Sequence, residues 1–212
     1  MDWLTLYNGG TGEIEEKKSR FIATLEPVSS EEEAVAVIAA VKKKYWDAKH
    51  NCSAFVIGDK GQITRCSDDG EPSGTAGRPM LDVLVGEHVT NVCAVVTRYF
   101  GGTLLGTGGL VRAYSAAVKE GLANSTMIKK TAGCMIRTVC DYNDIGKLQY
   151  MAAQKGYHIT GCDYADTVTV TMICDDGDRL SADITDTTSG RAVIGEIVPV
   201  VYAMIDGKPV IF

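Results

Sequence analysis

Apolar and polar positions along the first half of the chain change period several times, and each change marks an element. SRFIATLEP, residues 19 to 27, alternates well enough to predict a strand that Pro27 closes. Ala34, Ile38, Val41 and Tyr45 then return at helical spacing, with Ser30 and Glu33 placed as a capping box and Lys42, Lys43 and Lys44 adding favourable charge at the C-terminal end. HNCSAFVIG (50 to 58) and GQITRCS (61 to 67) predict a hairpin through Asp59 and Lys60. Residues 80 to 86 suit a short helix, NVCAVVTRYF (91 to 100) a largely apolar central strand, and LVRAYSAAVKEGLA (110 to 123) a helix ending near Gly121.

After about residue 130 the pattern restarts. GCMIRTVCDY (133 to 142) predicts a strand, and NDIGKLQYMAAQKGY a helix with Asn143 or Asp144 as cap and Gly156 as stop. HITGCDYAD and VTVTMICDD alternate as a strand pair, residues 177 to 190 predict a second helix, and VIGEIVPVVYAMI a last strand. That order is βαββαβ, a ferredoxin-like split-βαβ sandwich. The expected organisation is therefore α+β in two domains, residues 1–130 and 135–212.

Two glycine-laden segments interrupt the first domain: DDGEPSGTAGRP (68 to 79) and RYFGGTLLGTGGLVRAY (98 to 114). Glycine surrenders side-chain packing and costs backbone entropy, so such clusters mark backbone that turns sharply or approaches a partner closely. In the second segment, Gly101, Gly102, Gly106, Gly108 and Gly109 lead into a helix start flanked by Arg98 and Arg112, which makes a candidate phosphate or carboxylate site. The segment lacks the GK[ST] ending of a P-loop and the GxGxxG context of a dinucleotide site. Tight packing of helix on sheet explains the same glycines equally well.

The first segment offers Asp68, Asp69 and Glu71, oxygen ligands enough for Mg²⁺ or for the basic groups of a partner. Carboxylates in turns also bond their own backbone, and Arg78 could bridge to them. Pro72 and Pro79 bracket the loop and stiffen it. Tyr99 and Phe100 are candidates for stacking a base, although the end of an apolar strand turns one of them to the core. His50 with Cys52 and Cys66 has no recognised metal-ligand spacing, Ser73 and Ser115 lack a GxSxG context, and His88 and His158 have no useful neighbour. No catalytic residue, metal ligand or cofactor is assigned.

Composition narrows the classes. Of 212 residues, 45% are hydrophobic and 23% charged, ordinary for a globular protein. The start carries no basic stretch followed by an apolar run and no stretch is long enough to span a membrane, which predicts a cytoplasmic protein. Seven scattered cysteines, with no CxxC pair, fit a reducing compartment. Residues 1–130 hold 15 Lys+Arg against 16 Asp+Glu, a net of −1, whereas residues 131–212 hold 6 against 11, a net of −5. Since Lys and Arg supply most affinity for phosphate backbones, only a local patch of the first domain suits RNA, and DNA is not expected as a partner.

KSRFIA (18 to 23), AKHNCSAFVIG (48 to 58), SDDGEPSGTAGRPML (67 to 81) and VVTRYFGGTLLGTGGLVRAYSAAV (95 to 118) together closely resemble the YigZ/IMPACT family, and the acidic second domain resembles the C-terminal domain of its bacterial members. The resemblance implies an N-terminal two-layer α/β domain with a left-handed βαβ crossover, like domain IV of elongation factor G. It implies a second domain like the ferredoxin-like domain V of that factor. Eukaryotic relatives act in translational control by binding the ribosome-associated activator of the amino-acid-starvation kinase, using an additional N-terminal domain without counterpart in this sequence.

Two functional expectations follow. In one, the chain is a non-enzymatic regulatory protein of translation that meets RNA, a ribosomal component or a translation factor, with Arg78, Arg98 and Arg112 facing phosphate. In the other, it is an enzyme or sensor that binds a small phosphorylated ligand at Gly101 to Gly109, with Mg²⁺ on Asp68 or Asp69.

Overall fold

The structure, a computed structural model, describes residues 2–212. The chain divides into two compact units, Trp3–Ile128 and Lys129–Phe212, the second joined by Asp2.

The first unit is built on an antiparallel sheet of β2 (Gly10–Glu16), β3 (Ser19–Pro27), β4 (His50–Ile57), β5 (Ile63–Ser67) and β7 (Val92–Tyr99), in the order β2-β3-β7-β4-β5. β1 (Asp2–Asn8) pairs in parallel with the two-residue β6 (Val89–Thr90), matching Leu4 with Val89. β7 takes the centre because Val92 to Val96 are apolar without a break and every residue from Val92 to Arg98 is buried, as a strand covered on both faces requires. Its alternate positions Cys93 and Val95, with Phe55 and Ile57 of β4, pack under α1 (Glu31–Lys44). Ala94 and Val96, with Cys52 and Ala54, pack under α2 (Gly77–Gly86) and α3 (Gly106–Ala123). The expected mixed α+β class is present, but helices cover both faces, so the sheet is a middle layer rather than one of the two layers expected.

Boundaries differ from the periodicity in instructive places. Ser30 caps α1 by accepting the Glu33 amide at 3.2 Å, but the Glu33 carboxylate turns back one residue further, to Ser29 N at 2.6 Å and Ser29 Oγ at 2.8 Å. α2 starts three residues before the expected Met80 and α3 four before the expected Leu110, so Gly108 and Gly109 lie in a first helical turn rather than a loop, entered through Gly106. Their low helix propensity is overridden by Leu105 and Leu110, which dock on the core.

In the second unit β8 (Thr126–Cys140), α4 (Tyr142–Lys155), β9 (His158–Tyr164), β10 (Val168–Cys174), α5 (Gly177–Thr188), β11 (Val193–Ile194) and β12 (Val198–Ile205) follow the βαββαβ order, and β13 (Lys208–Ile211) extends it. The sheet runs β9-β10-β8-β12-β13 with antiparallel neighbours. β11 also pairs with β8, so the expected last strand is one edge broken at residues 195 to 197. Val168, Val170 and Met172 alternate inward against Leu148, Leu180 and Ile184 of the helices, leaving Thr169 and Thr171 on the other face. The helix cap is Asp141 rather than Asn143 or Asp144; Asp144 is instead held by Arg191 and Lys147, the Arg191 bond first, which lower its carboxyl to about 2.

Candidate binding site

Strand register gathers the two glycine-rich segments. Arg20 pairs with Tyr99, His50 with Arg98 and Ser53 with Ser67, so the starts of β3 and β4 and the ends of β5 and β7 share one end of the sheet. The first segment leaves β5 there and the second leaves β7. Alternation along β7 then decides which side chains meet: Arg98 falls on the face of Ala94 and Val96, under α3, whereas Thr97 and Tyr99 fall on the other.

Arg98 is buried at that end. Its Nη1 donates to Glu71 Oε1 at 2.6 Å, the two side chains being 8% and 3% exposed, and its guanidinium lies 5.5 Å from the Phe21 ring centre and 5.6 Å from that of Phe100. Tyr114 of α3 donates to the same Oε1 at 2.8 Å, and Cys52 Sγ sits 3.3 Å from Tyr114 Oη and 2.9 Å from the Asp68 carbonyl. Burial pushes the Cys52 thiol up to about 12 and the Tyr114 hydroxyl far above its ordinary value. Both are thereby held in the protonated form that donates these hydrogen bonds. The Arg98 Nε–H is buried with no acceptor.

The carboxylates of the first segment turn inward. Asp68 accepts the amides of Gly74 at 2.8 Å, Ala76 at 3.0 Å and Gly77 at 2.8 Å, so it caps the N-terminus of α2 from a distance. Burial alone would raise its carboxyl, but these amides outweigh that and hold it below the usual range. Asp69 accepts Lys42 Nζ at 2.6 Å and the Asn51 amide at 2.7 Å, while its carbonyl lies 2.9 Å from His50 Nδ1. Two expectations are corrected here. The oxygens proposed for Mg²⁺ are occupied by backbone amides and Lys42, and among the described residues no group of three or more acidic, histidine or cysteine side chains could hold a metal. Arg78 does not bridge to these acids; it is exposed and pairs with Asp82 one turn along α2 at 2.8 Å.

The second segment is open by contrast. Gly101 passes so close to the start of β3 that a Cβ would lie 2.0 Å from the Lys18 carbonyl carbon, a contact only glycine permits. Gly102 and Gly106 have φ of 84° and 73°. α3 then begins with no side-chain cap, and Leu104 (82%) and Phe100 (58%) are largely exposed. Between this segment and Glu71 lies a cavity of about 480 Å³. Glu71, Arg98, Lys49 and His50 supply its polar lining, and Phe100 and Leu104 are among its apolar walls.

Of the residues singled out from sequence, Glu71, Arg98, Phe100 and Gly106 line the cavity, and Asp68 and Asp69 brace the loop behind it. Tyr99 does not face it: its hydroxyl donates to Asp47 at 2.7 Å on the α1 side. Arg98, expected to face phosphate, is instead neutralised by Glu71. Arg112 is exposed on α3, and Gly101, Gly102, Gly108 and Gly109 shape the backbone without lining the space. Lys49, Leu110 and Tyr114 were missed. Tyr114 had a signal, a tyrosine one helical spacing from Leu110 on the buried side of its helix.

The region that carries this site matches a known domain family. Residues 17–122 match the Impact N-terminal domain, and residues 138–191 a domain of unknown function, DUF1949. The IMPACT family member YvyE of Bacillus subtilis (strain 168) is 40% identical over 196 residues, 92% of this chain and 90% of that protein. The chain belongs to the IMPACT family. The IMPACT family member YigZ of Escherichia coli (strain K12) is 43% identical over 150 residues, 70% of this chain and 74% of its own. A crystal structure of a hypothetical protein aligns with a TM-score of 0.60 at 37% identity, covering 91% of this chain and 96% of its own. The Impact N-terminal match contains both glycine-rich segments and the whole Arg98–Glu71–Tyr114–Cys52 network.

Proposed function

We propose that this IMPACT family protein is a non-enzymatic regulator of translation, acting in the cytoplasm by contacting RNA or a ribosomal component with the signature-bearing end of its first unit. The observation that carries the reading is the convergence of both segments on one end of the sheet, around one cavity. Exposed Lys17 and Lys18 of the β2–β3 turn and Lys49 stand at that same end and offer cations to a phosphate. The chemistry favours recognition over reaction: Cys52 and Tyr114 hold their protons, Arg98 and Glu71 neutralise each other, and Asp68 and Asp69 are tied to the backbone. No helix among the described residues is long and apolar enough to cross a membrane.

Co-sedimentation with ribosomes across a salt series tests the reading. Association should fall steeply with salt, and Lys49→Glu combined with Arg112→Glu should weaken it and lower the log–log slope by about 2, roughly one unit per phosphate contact removed. Both positions are exposed, so the double variant should fold. Unchanged association of the folded variant at all salt concentrations would overturn the assignment.

A further inference from the structure

The cavity has a chemistry more particular than a cationic patch. Its polar lining at Arg98 and Glu71 carries a donor and an acceptor together with little net charge. Both protein hydrogen bonds to Glu71 end on Oε1, which leaves Oε2 for another donor, and Arg98, which lines the cavity, gives only Nη1 to Glu71 and keeps Nη2 for an acceptor. A bare oxyanion there would meet the Glu71 carboxylate. A neutral heterocycle with N–H and C=O or ring-nitrogen groups on one edge would satisfy both partners. The walls suit the faces of such a ring: Pro72, Phe100, Leu104, Leu105 and Leu110 are apolar, and the volume of about 480 Å³ lies within the range of small-ligand sites.

The rim supplies what the lining lacks. α3 opens beside the cavity at Gly106 and Thr107, has no side-chain cap, and carries the positive end of an 18-residue helix dipole. Lys49 lines the same cavity. A ring in an apolar slot, an edge read by a donor and an acceptor, and a phosphate on free helix amides together describe a nucleotide. We infer that the cavity receives one unpaired nucleotide of a single-stranded RNA, its base over the Arg98–Glu71 pair and its phosphate at the start of α3. The inference rests on the reading of the protein as an RNA or ribosome binder and names the part of the RNA it takes.

The test uses the full chain with short single-stranded RNAs carrying a central 2-aminopurine, the same RNAs in duplex form, and the four nucleoside monophosphates. The single strand should bind with a change in 2-aminopurine fluorescence and the duplex at least tenfold more weakly. Thr107→Asp puts a carboxylate where the phosphate would sit while favouring the helix dipole, so it should cut single-strand affinity at least tenfold without lowering the melting temperature. Equal binding of duplex and single strand, an unaffected Thr107→Asp variant, or binding of monophosphates without RNA would overturn the inference. If single strands fail to bind but ribosome association still responds to Lys49→Glu with Arg112→Glu, the inference falls and the broader reading stands; if both fail, both fall.

Discussion

The two segments are both rich in glycine and opposite in use. The first spends its polar groups on the fold: Asp68 on three amides of the α2 start, Asp69 on Lys42 and the Asn51 amide, Glu71 on Arg98 and Tyr114. The second, between its bonded ends Arg98, Tyr99 and Tyr114, leaves its middle open, with an uncapped helix start and two exposed apolar side chains. The acidic segment that resembled a ligand site is thus mainly a brace, and the nearly uncharged one forms the open wall. A loop's charge shows what it can bond, while its neighbours decide whether those bonds are already made.

The contrast is broken most directly at Glu71. Glu71→Ala would leave Arg98 buried without its counter-charge, which should cost about 3–5 kcal/mol in urea denaturation. A cost below about 1 kcal/mol would mean that the pair does not hold the loop. Next comes Asp68→Ala, which strips three backbone donors of their acceptor and should cost about 2–3 kcal/mol by the same measurement. Asp68 also gives a pH signature. Its folded carboxyl lies below the unfolded value of 3.8, so its contribution is present above that value and is lost as pH falls through the lower, folded one. Asp68→Asn should flatten the stability profile in that acid window, and an unchanged profile would assign the acid sensitivity elsewhere. The smallest effects belong to exposed positions: Leu104→Ser in the open segment and Arg78→Ala at its surface pair should each shift stability by no more than about 0.5 kcal/mol. A larger loss at Leu104 would mean that the second segment is also structural.

Much of the fold was legible because burial leaves a period. β3 is the segment marked by alternation and closed by Pro27, the hairpin of β4 and β5 spans the expected arms, and the βαββαβ order of the second unit follows its changes of period. The errors lie where packing outweighs local preference. The glycines of 106 to 109 are poor helix formers and read as loop, yet they are helical because Leu105 and Leu110 anchor that turn. β1 and β2 were not foreseen, since GTGEIEE has little apolar content and gains its place by pairing with β3 from Gly10 to Glu16.

For the site, the sequence by itself singled out both segments, their family and the residue types at stake, because specific glycine spacing and turn chemistry are local properties of the chain. Only the tertiary structure decided that Arg98 meets Glu71, 27 residues away in sequence, rather than a phosphate, that Arg78 turns to Asp82, and that Tyr99 faces Asp47. The reason is the two-residue period of a strand combined with register. Together they fix which face a side chain takes and which loop it meets, and neither is written in the residues on either side.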